Sequence, residues 1–292
     1  MLHYGTVVLL LVALDSLGAV TIDRAGAAEP WASIVEKTRT SPSRSGFYFD
    51  FDGTLSRIQI DPATVLPVSG AVESLTRLVG LVHAVGIVSA RPVDFLQSRF
   101  GEVPGVALHG LYGLESWESG TATSSPDAER WEPVIRALLA RARAELPGEI
   151  LIEDKRLSMA LHYRRAPQCE DRALHWGRDQ ARRHGVVLEQ GPYTVELKPP
   201  VDRDKGTVLA QAISGLRCVW YFGDGAPDLA AFRALDGWSA GAPHRTAVRV
   251  AVRHPDSDGA LLQEADLVLD GPDAVPGLLD AVCTALDHRP KG

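Results

Sequence analysis

Nine residues constrain this chain more than any others: Phe47-Tyr48-Phe49-Asp50-Phe51-Asp52-Gly53-Thr54-Leu55. The run begins as an aromatic, strand-forming segment. It stops at two aspartates one residue apart, followed by a glycine that permits a sharp turn. Strand side chains alternate in direction, so Asp50 and Asp52 project to one side wherever strand geometry persists. A strand ending in paired carboxylates suits the carboxyl edge of an open α/β sheet, where such folds gather ligands. The plainer reading is one capping and one turn aspartate.

The rest of the chain supplies the sheet that this strand needs. Val72, Leu75, Leu78 and Val79 fall on one helical face, and Val82 to Val88 reads as a buried strand ending in Ser89-Ala90-Arg91-Pro92. A helix over Val93 to Phe100 and a strand over Gly105 to Leu108, closing at His109-Gly110, continue the alternation. Strand, helix, strand, helix, strand predicts a doubly wound parallel sheet. The rhythm then changes: a strand over Leu111 to Glu118, a polar loop over Ser119 to Asp127, and an amphipathic helix through Trp131 and Leu138. Two strands follow around a Lys155-Arg156 turn, then a basic helix from about Asp171 to His184 and two more strands. This αββ-αββ pattern predicts a smaller α/β domain inserted into the first, spanning 111–199 and leaving at Pro199-Pro200. The parallel rhythm resumes from Asp204, so the core is expected over 45–110 and 200–292.

With 292 residues, 45% apolar and 23% charged, the chain has ample material for a packed core. A net charge of −7 argues against nucleic-acid binding and for a small-molecule partner. Cys169, Cys218 and Cys283 form neither a disulfide framework nor a zinc pattern, which points to a reducing, cytoplasmic setting. The apolar run Val7 to Leu14 is too short to span a bilayer, and Met1 to Thr6 lacks the basic residues of a secretory signal. Residues 1–44 therefore read as a leading helix and a linker, with no stable membrane association. A monomer is the expected state.

Four pieces sit at corresponding ends of these elements: Asp50/Asp52, Ser89, Lys205 at a helix start, and Asp224/Asp228 after the strand Cys218 to Phe222. Carboxylate attack on a phosphate ester brings two anions together, so the site needs cations and donors. Asp50 is the candidate nucleophile and Asp52 its proton-transfer partner, acid first and base second. Mg²⁺, which prefers oxygen ligands, would be held by Asp50, Asp224 and the backbone carbonyl of Asp52, with Asp228 completing the acidic set. Lys205 supplies a compact charge and Ser89 a hydrogen bond to phosphate.

Taken in order, Asp-Phe-Asp-Gly-Thr-Leu, a strand-terminal Ser, a Lys at a helix start and Gly-Asp-x-x-x-Asp resemble the motifs of haloacid-dehalogenase-superfamily phosphotransferases. The segments Val88 to Pro92, His109 to Glu115, Glu153-Asp154-Lys155, Ala160 to Arg164 and Val195 to Pro199 look like the trehalose-6-phosphate phosphatase family, over about residues 45 to 285. The resemblance implies a Rossmann-like core with a mobile cap and a Mg²⁺-dependent aspartyl-phosphate mechanism. It also implies a cap that grips the sugar through Glu153, Lys155 and Glu196; Arg91 and His109 are counted with these substrate residues. Two departures stand out. Ala90 replaces a glycine usual in the second motif, and Gly225 stands where a carboxylate often follows Asp224.

The expected activity is thus hydrolysis of trehalose 6-phosphate. The alternatives are another glycosyl phosphate, such as glucosylglycerol phosphate, or a sugar-phosphate-binding regulatory protein with a weakened fourth motif.

Overall fold

The computed structural model describes residues 20–21, 31–255, 257 and 259–287. The apolar run Val7 to Leu14, read above as part of a leading helix, lies outside the described residues.

The larger sheet contains β1 (Val20–Thr21), β2 (Ser45–Phe49), β3 (Ala84–Val88), β4 (Ala107–Gly110), β5 (Glu115–Glu118), β6 (Thr121–Ser124), β11 (Cys218–Gly223), β12 (Thr246–Arg253) and β13 (Leu267–Asp270). Its order is β1-β13-β12-β11-β2-β3-β4-β5-β6. The six strands from β13 to β4 run parallel, and β1, β5 and β6 are antiparallel additions. The chain winds outward from β2 through β3 to β4, then returns beside β2 as β11 and winds the other way. That reversal makes the β2–β11 boundary the topological switch point, where open α/β sheets leave a crevice.

Alternation explains how one strand serves two cores. Phe47 and Phe49 face one layer with Leu75, Leu96 and Leu278, while Tyr48 faces the other with Leu209, Phe232 and Leu261. Register places Phe47 beside Trp220 and Phe49 beside Phe222, and both pairs stack, with centroids 5.1 and 4.5 Å apart. These cross-strand aromatic pairs fix β2 against β11 just below the ends that carry Asp50 and Asp224.

One expectation changes here. Within the segment read as leading helix and linker, helix Trp31–Thr40 packs on the larger sheet through Val35, and Trp220 Nε1 donates to Thr38 Oγ1 at 3.1 Å. The supposed loop after Glu118 contains β6. Ser119 and Gly120, both at positive φ (50° and 81°), make a two-residue turn, and threonines 121 and 123 extend the hairpin. The β5–β6 hairpin thus extends the larger sheet, so residues 115–124 belong with that sheet rather than with the insertion expected over 111–199.

The insertion's own sheet has the order β7-β8-β10-β9: β7 (Leu151–Asp154), β8 (Met159–His162), β9 (Val187–Gly191) and β10 (Thr194–Lys198), all antiparallel. Helices Glu132–Glu145 and Glu170–His184 cover one face, burying Ile135, Leu138, Leu139 and Trp176 against Leu161 and Val195. The other face is turned toward the switch-point crevice.

Candidate active site

Asp50 follows β2 directly, and its backbone N–H donates to Phe222 O at 2.8 Å, one last rung between β2 and β11. Asp224 follows β11. The two side chains therefore emerge from adjacent strand ends, both buried. Gly53, at φ +83°, turns the chain back so closely that a Cβ there would lie 2.2 Å from Asp224 Oδ2. Only glycine accepts both that dihedral and that approach.

Lys205 is brought in by the start of helix Lys205–Ala212. Asp204 caps this helix: its carboxylate accepts from Thr207 N at 2.7 Å, and the Thr207 hydroxyl accepts from Asp204 N at 3.0 Å. Lys205 Nζ then lies 2.8 Å from both Asp50 Oδ1 and Asp228 Oδ1. Burial alone would lower the Lys205 pKa, but the charges of Asp228 and Asp50 outweigh it and raise it.

Asp228 is the most saturated carboxylate of the group. Oδ1 accepts from Lys205 Nζ and from Tyr221 Oη (2.7 Å), and Oδ2 accepts from the backbone N–H groups of Asp224 and Gly225, each at 3.1 Å. Gly223 makes room for it, since a Cβ there would lie 2.4 Å from Asp228 Cγ. Carboxylate oxygens of Asp50, Asp224 and Asp228 all lie within 4.8 Å of one another.

Burial, reinforced by Asp228, pushes the Asp224 carboxyl up to about 7. Burial likewise raises Asp50, although Lys205 pulls in the other direction. Three buried carboxylates share one ammonium, and such a donor set fits a hard divalent cation that takes oxygen ligands. His254, at the end of β12, places Nε2 2.6 Å from Asp224 Oδ2. The sequence reading missed His254; the available signal was its place at the terminus of the parallel strand next to β11.

Asp52 stands beside this cluster, gripped by Arg91 through two parallel bonds, Nε to Oδ2 and Nη2 to Oδ1, each 2.7 Å. Arg91 Nη1 reaches Pro62 O at 2.8 Å and Glu153 Oε1 at 3.2 Å. One guanidinium thus joins the carboxylate-bearing end of the larger sheet to the smaller one. Ser89 is fully buried at the end of β3, and its hydroxyl accepts from Arg91 N at 3.1 Å. Ala90 is not among the residues with positive φ, so the missing glycine costs the backbone nothing.

The smaller sheet contributes Glu153, Lys155 and Glu196. Lys155 Nζ donates to Glu196 Oε2 at 3.0 Å, Ser158 donates to Glu196 Oε1 at 2.7 Å, and His162 Nε2 lies 2.7 Å from Glu153 Oε2. Burial would raise Glu153, but the His162 hydrogen bond and the charges of Lys155 and Arg91 bring it down to about 2. Lys155 is lowered by burial and raised more by Glu196 and Glu153, so it stays cationic. Asp50, Asp52, Ser89, Arg91, Lys205, Asp224 and Asp228 line one cleft of about 580 Å³ together with Glu153, Lys155 and Glu196.

His109 is the exception among the expected residues. It does not line that cleft; its Nε2 faces Glu118 of β5 at 3.7 Å, because His109 pairs with Ser116 and alternation puts Glu118, two residues on, on the same face of the sheet. Behind the cleft, Glu115 accepts from Val93 N at 2.9 Å and from Arg156 Nη2 at 2.6 Å, a second tie between the two sheets.

A family model described as trehalose-phosphatase matches residues 48–259. The chain belongs to the trehalose-phosphatase family. Among curated relatives, trehalose-phosphate phosphatase of Mycobacterium avium is 35% identical over 237 residues, covering 77% of this chain and 58% of that protein. The Mycobacterium tuberculosis protein of the same name is 32% identical over 257 residues, covering 83% and 62%. The chain thus spans about three fifths of the length of these relatives. Among solved structures, the C-terminal domain of Candida albicans trehalose-6-phosphate phosphatase superposes with a TM-score of 0.70 at 21% identity, covering 91% of this chain and 99% of that one. That likeness establishes the family fold, a doubly wound core with an inserted cap. None of the described helices is long and apolar enough to cross a membrane.

Proposed function

We propose that this trehalose-phosphatase-family protein hydrolyses trehalose 6-phosphate to trehalose and inorganic phosphate, with Mg²⁺ bound among Asp50, Asp224 and the Asp52 carbonyl. One observation carries the reading: the aspartates at the switch point and the Glu153, Lys155 and Glu196 set line the same cleft. A phosphate seated beside Lys205 and Ser89 puts its sugar against hydrogen-bonding groups of both signs, suited to several hydroxyls.

Asp50 acts as the nucleophile: its carboxylate oxygen forms a bond to phosphorus as the bond to the sugar oxygen breaks. The cation, when bound, offsets the repulsion between carboxylate and phosphate. Lys205 holds the unused Asp50 oxygen and Ser89 donates to a phosphate oxygen. Asp52 gives the departing sugar oxygen a proton, then takes one from the water that attacks the aspartyl phosphate and frees Asp50. Both Asp52 oxygens accept from Arg91, so proton transfer requires one of these bonds to open. Asp228, with all its acceptor capacity engaged, holds Lys205 and the Asp224 turn in place rather than serving as the principal ligand. The smaller sheet with its helices acts as the cap that chooses the sugar.

The test is a phosphate-release screen of purified protein over sugar phosphates with Mg²⁺, with Asp50→Asn as the blank. Release from trehalose 6-phosphate above that blank is expected. Release from another glycosyl phosphate but not from trehalose 6-phosphate refutes the substrate. Binding without release from any ester refutes the enzyme.

A further inference from the structure

Tyr193 breaks a local rule of turn chemistry. Gly191 of β9 pairs with Thr194 of β10, so Pro192 and Tyr193 form a two-residue turn between these strands. Tyr193 has φ +58°, a conformation that turns reserve for glycine or asparagine and that a bulky side chain adopts only under strain. The ring is not strained to fill a core, for Tyr193 is 41% exposed. It is nevertheless held: Tyr163, itself buried, packs edge-on at 6.2 Å, and the Arg164 guanidinium lies 4.7 Å from the ring centroid. Strained residues of this kind cluster at ligand clamps and active sites.

The surroundings say which ligand. Tyr193 lines the cleft that has Asp50, Asp52 and Lys205 on one side and Glu153 and Glu196 on another. Ile58 and Ile60, on the loop after the nucleophile strand, line the same cleft and are 40% and 54% exposed. Three large apolar side chains are thus left in water along one strongly charged cleft. A pyranose ring has this dual character, with hydroxyls around its rim and an apolar face of C–H bonds. Charged groups satisfy the rim, and an aromatic or aliphatic surface satisfies the face.

We infer that Tyr193, with Ile58 and Ile60, forms an apolar clamp on the sugar ring farther from the phosphate, and so selects disaccharide over monosaccharide phosphates. The inference rests on the phosphatase reading given above. It assigns the rejection of short substrates to lost contact rather than to a clash. A monosaccharide phosphate reaches the catalytic groups and leaves the clamp empty.

Tyr193→Gly tests it well, because glycine suits the turn and the variant folds without the strain. The expected result is a KM for trehalose 6-phosphate raised by roughly tenfold, with glucose 6-phosphate turnover within about twofold of wild type. Ile60→Ser should move KM the same way by a smaller factor. Calorimetric binding of trehalose itself, without turnover, should weaken by a similar factor in Tyr193→Gly. If wild type hydrolyses trehalose 6-phosphate and the variant keeps the same ratio between the two esters, the clamp is refuted and the phosphatase stands. If wild type releases no phosphate from trehalose 6-phosphate, the trehalose 6-phosphate reading fails. Trehalose binding then decides the clamp, and equal affinity in both proteins overturns it.

Discussion

Replacing Asp228 by asparagine separates two roles that a buried acidic cluster can play. The native carboxylate accepts four bonds, two at each oxygen, from Lys205, Tyr221 and two backbone N–H groups. An asparagine keeps one oxygen and turns the other into an NH₂ that only donates. Whichever way the amide faces, two donors meet a donor. Each buried group left without its partner costs about 1–3 kcal/mol, and Lys205 keeps only Asp50 as a counter-charge. The expected loss is about 2–6 kcal/mol, read as a lower urea midpoint at unchanged m. The decisive condition is excess EDTA. An organiser of the fold shows its loss without any cation, whereas a residue serving mainly as a metal ligand shows it only in the loaded protein. A difference under about 0.5 kcal/mol in EDTA, within the range of neutral surface changes, would refute the organising role.

Three further outcomes follow from the geometry. Glu153 has its folded pKa near 2, below the ordinary 4.5, so its charge stabilises the fold above the unfolded value and the benefit fades as pH falls from about 4.5 toward 2. Glu153→Gln should therefore cost at most about 3 kcal/mol at pH 7 and less at pH 3, by urea titration at both; parallel curves would contradict it. Gly53→Ala forces a side chain onto Asp224 at positive φ, and should lose about 2–4 kcal/mol in the same assay and most of its phosphate release; near-native behaviour would mean that the turn relaxes freely. His254→Ala removes the partner of one Asp224 oxygen. Mg²⁺ affinity measured by calorimetry should fall on the order of tenfold, with a smaller loss for His254→Gln; unchanged affinity would remove His254 from the site.

Much of this was legible in the chain because strand ends announce themselves. Asp50, Ser89 and Asp224 each follow a short, strongly apolar run, and the parallel alternation says that such ends share one edge. Glu153, Lys155 and Glu196 are harder: on composition alone they are an exposed turn pair and a strand carboxylate, and only the family resemblance singles them out. His254 was hidden because a lone histidine after a strand has no spacing partner; its contact with Asp224 exists only because β12 lies next to β11. His109 is the converse case, standing outside the cleft. Its position at a strand end is correct, but alternation sends its side chain toward Glu118. Strand β6 reads as a loop in the sequence because a polar, solvent-facing edge strand lacks the apolar signature on which strand recognition depends. Tyr193 carried no signal at all, since its conformation comes from the turn and not from the residue.

The switch point also sets when the site can exist. Strands β7 to β10 pair with neighbours close in sequence, as do β2 and β3, and such local contacts form early. The pairing of Phe47 with Trp220 closes a loop of roughly 170 residues, an entropic cost that grows only slowly with length but precedes any reward. A chain emerging from the ribosome can complete the insertion's sheet while Asp50 still has no Asp224, no Asp228 and no Lys205 beside it. Until β11 docks, Asp50 is an ordinary hydrated aspartate, so a partly synthesised chain carries the charged groups of the smaller sheet well before it carries the acidic cluster.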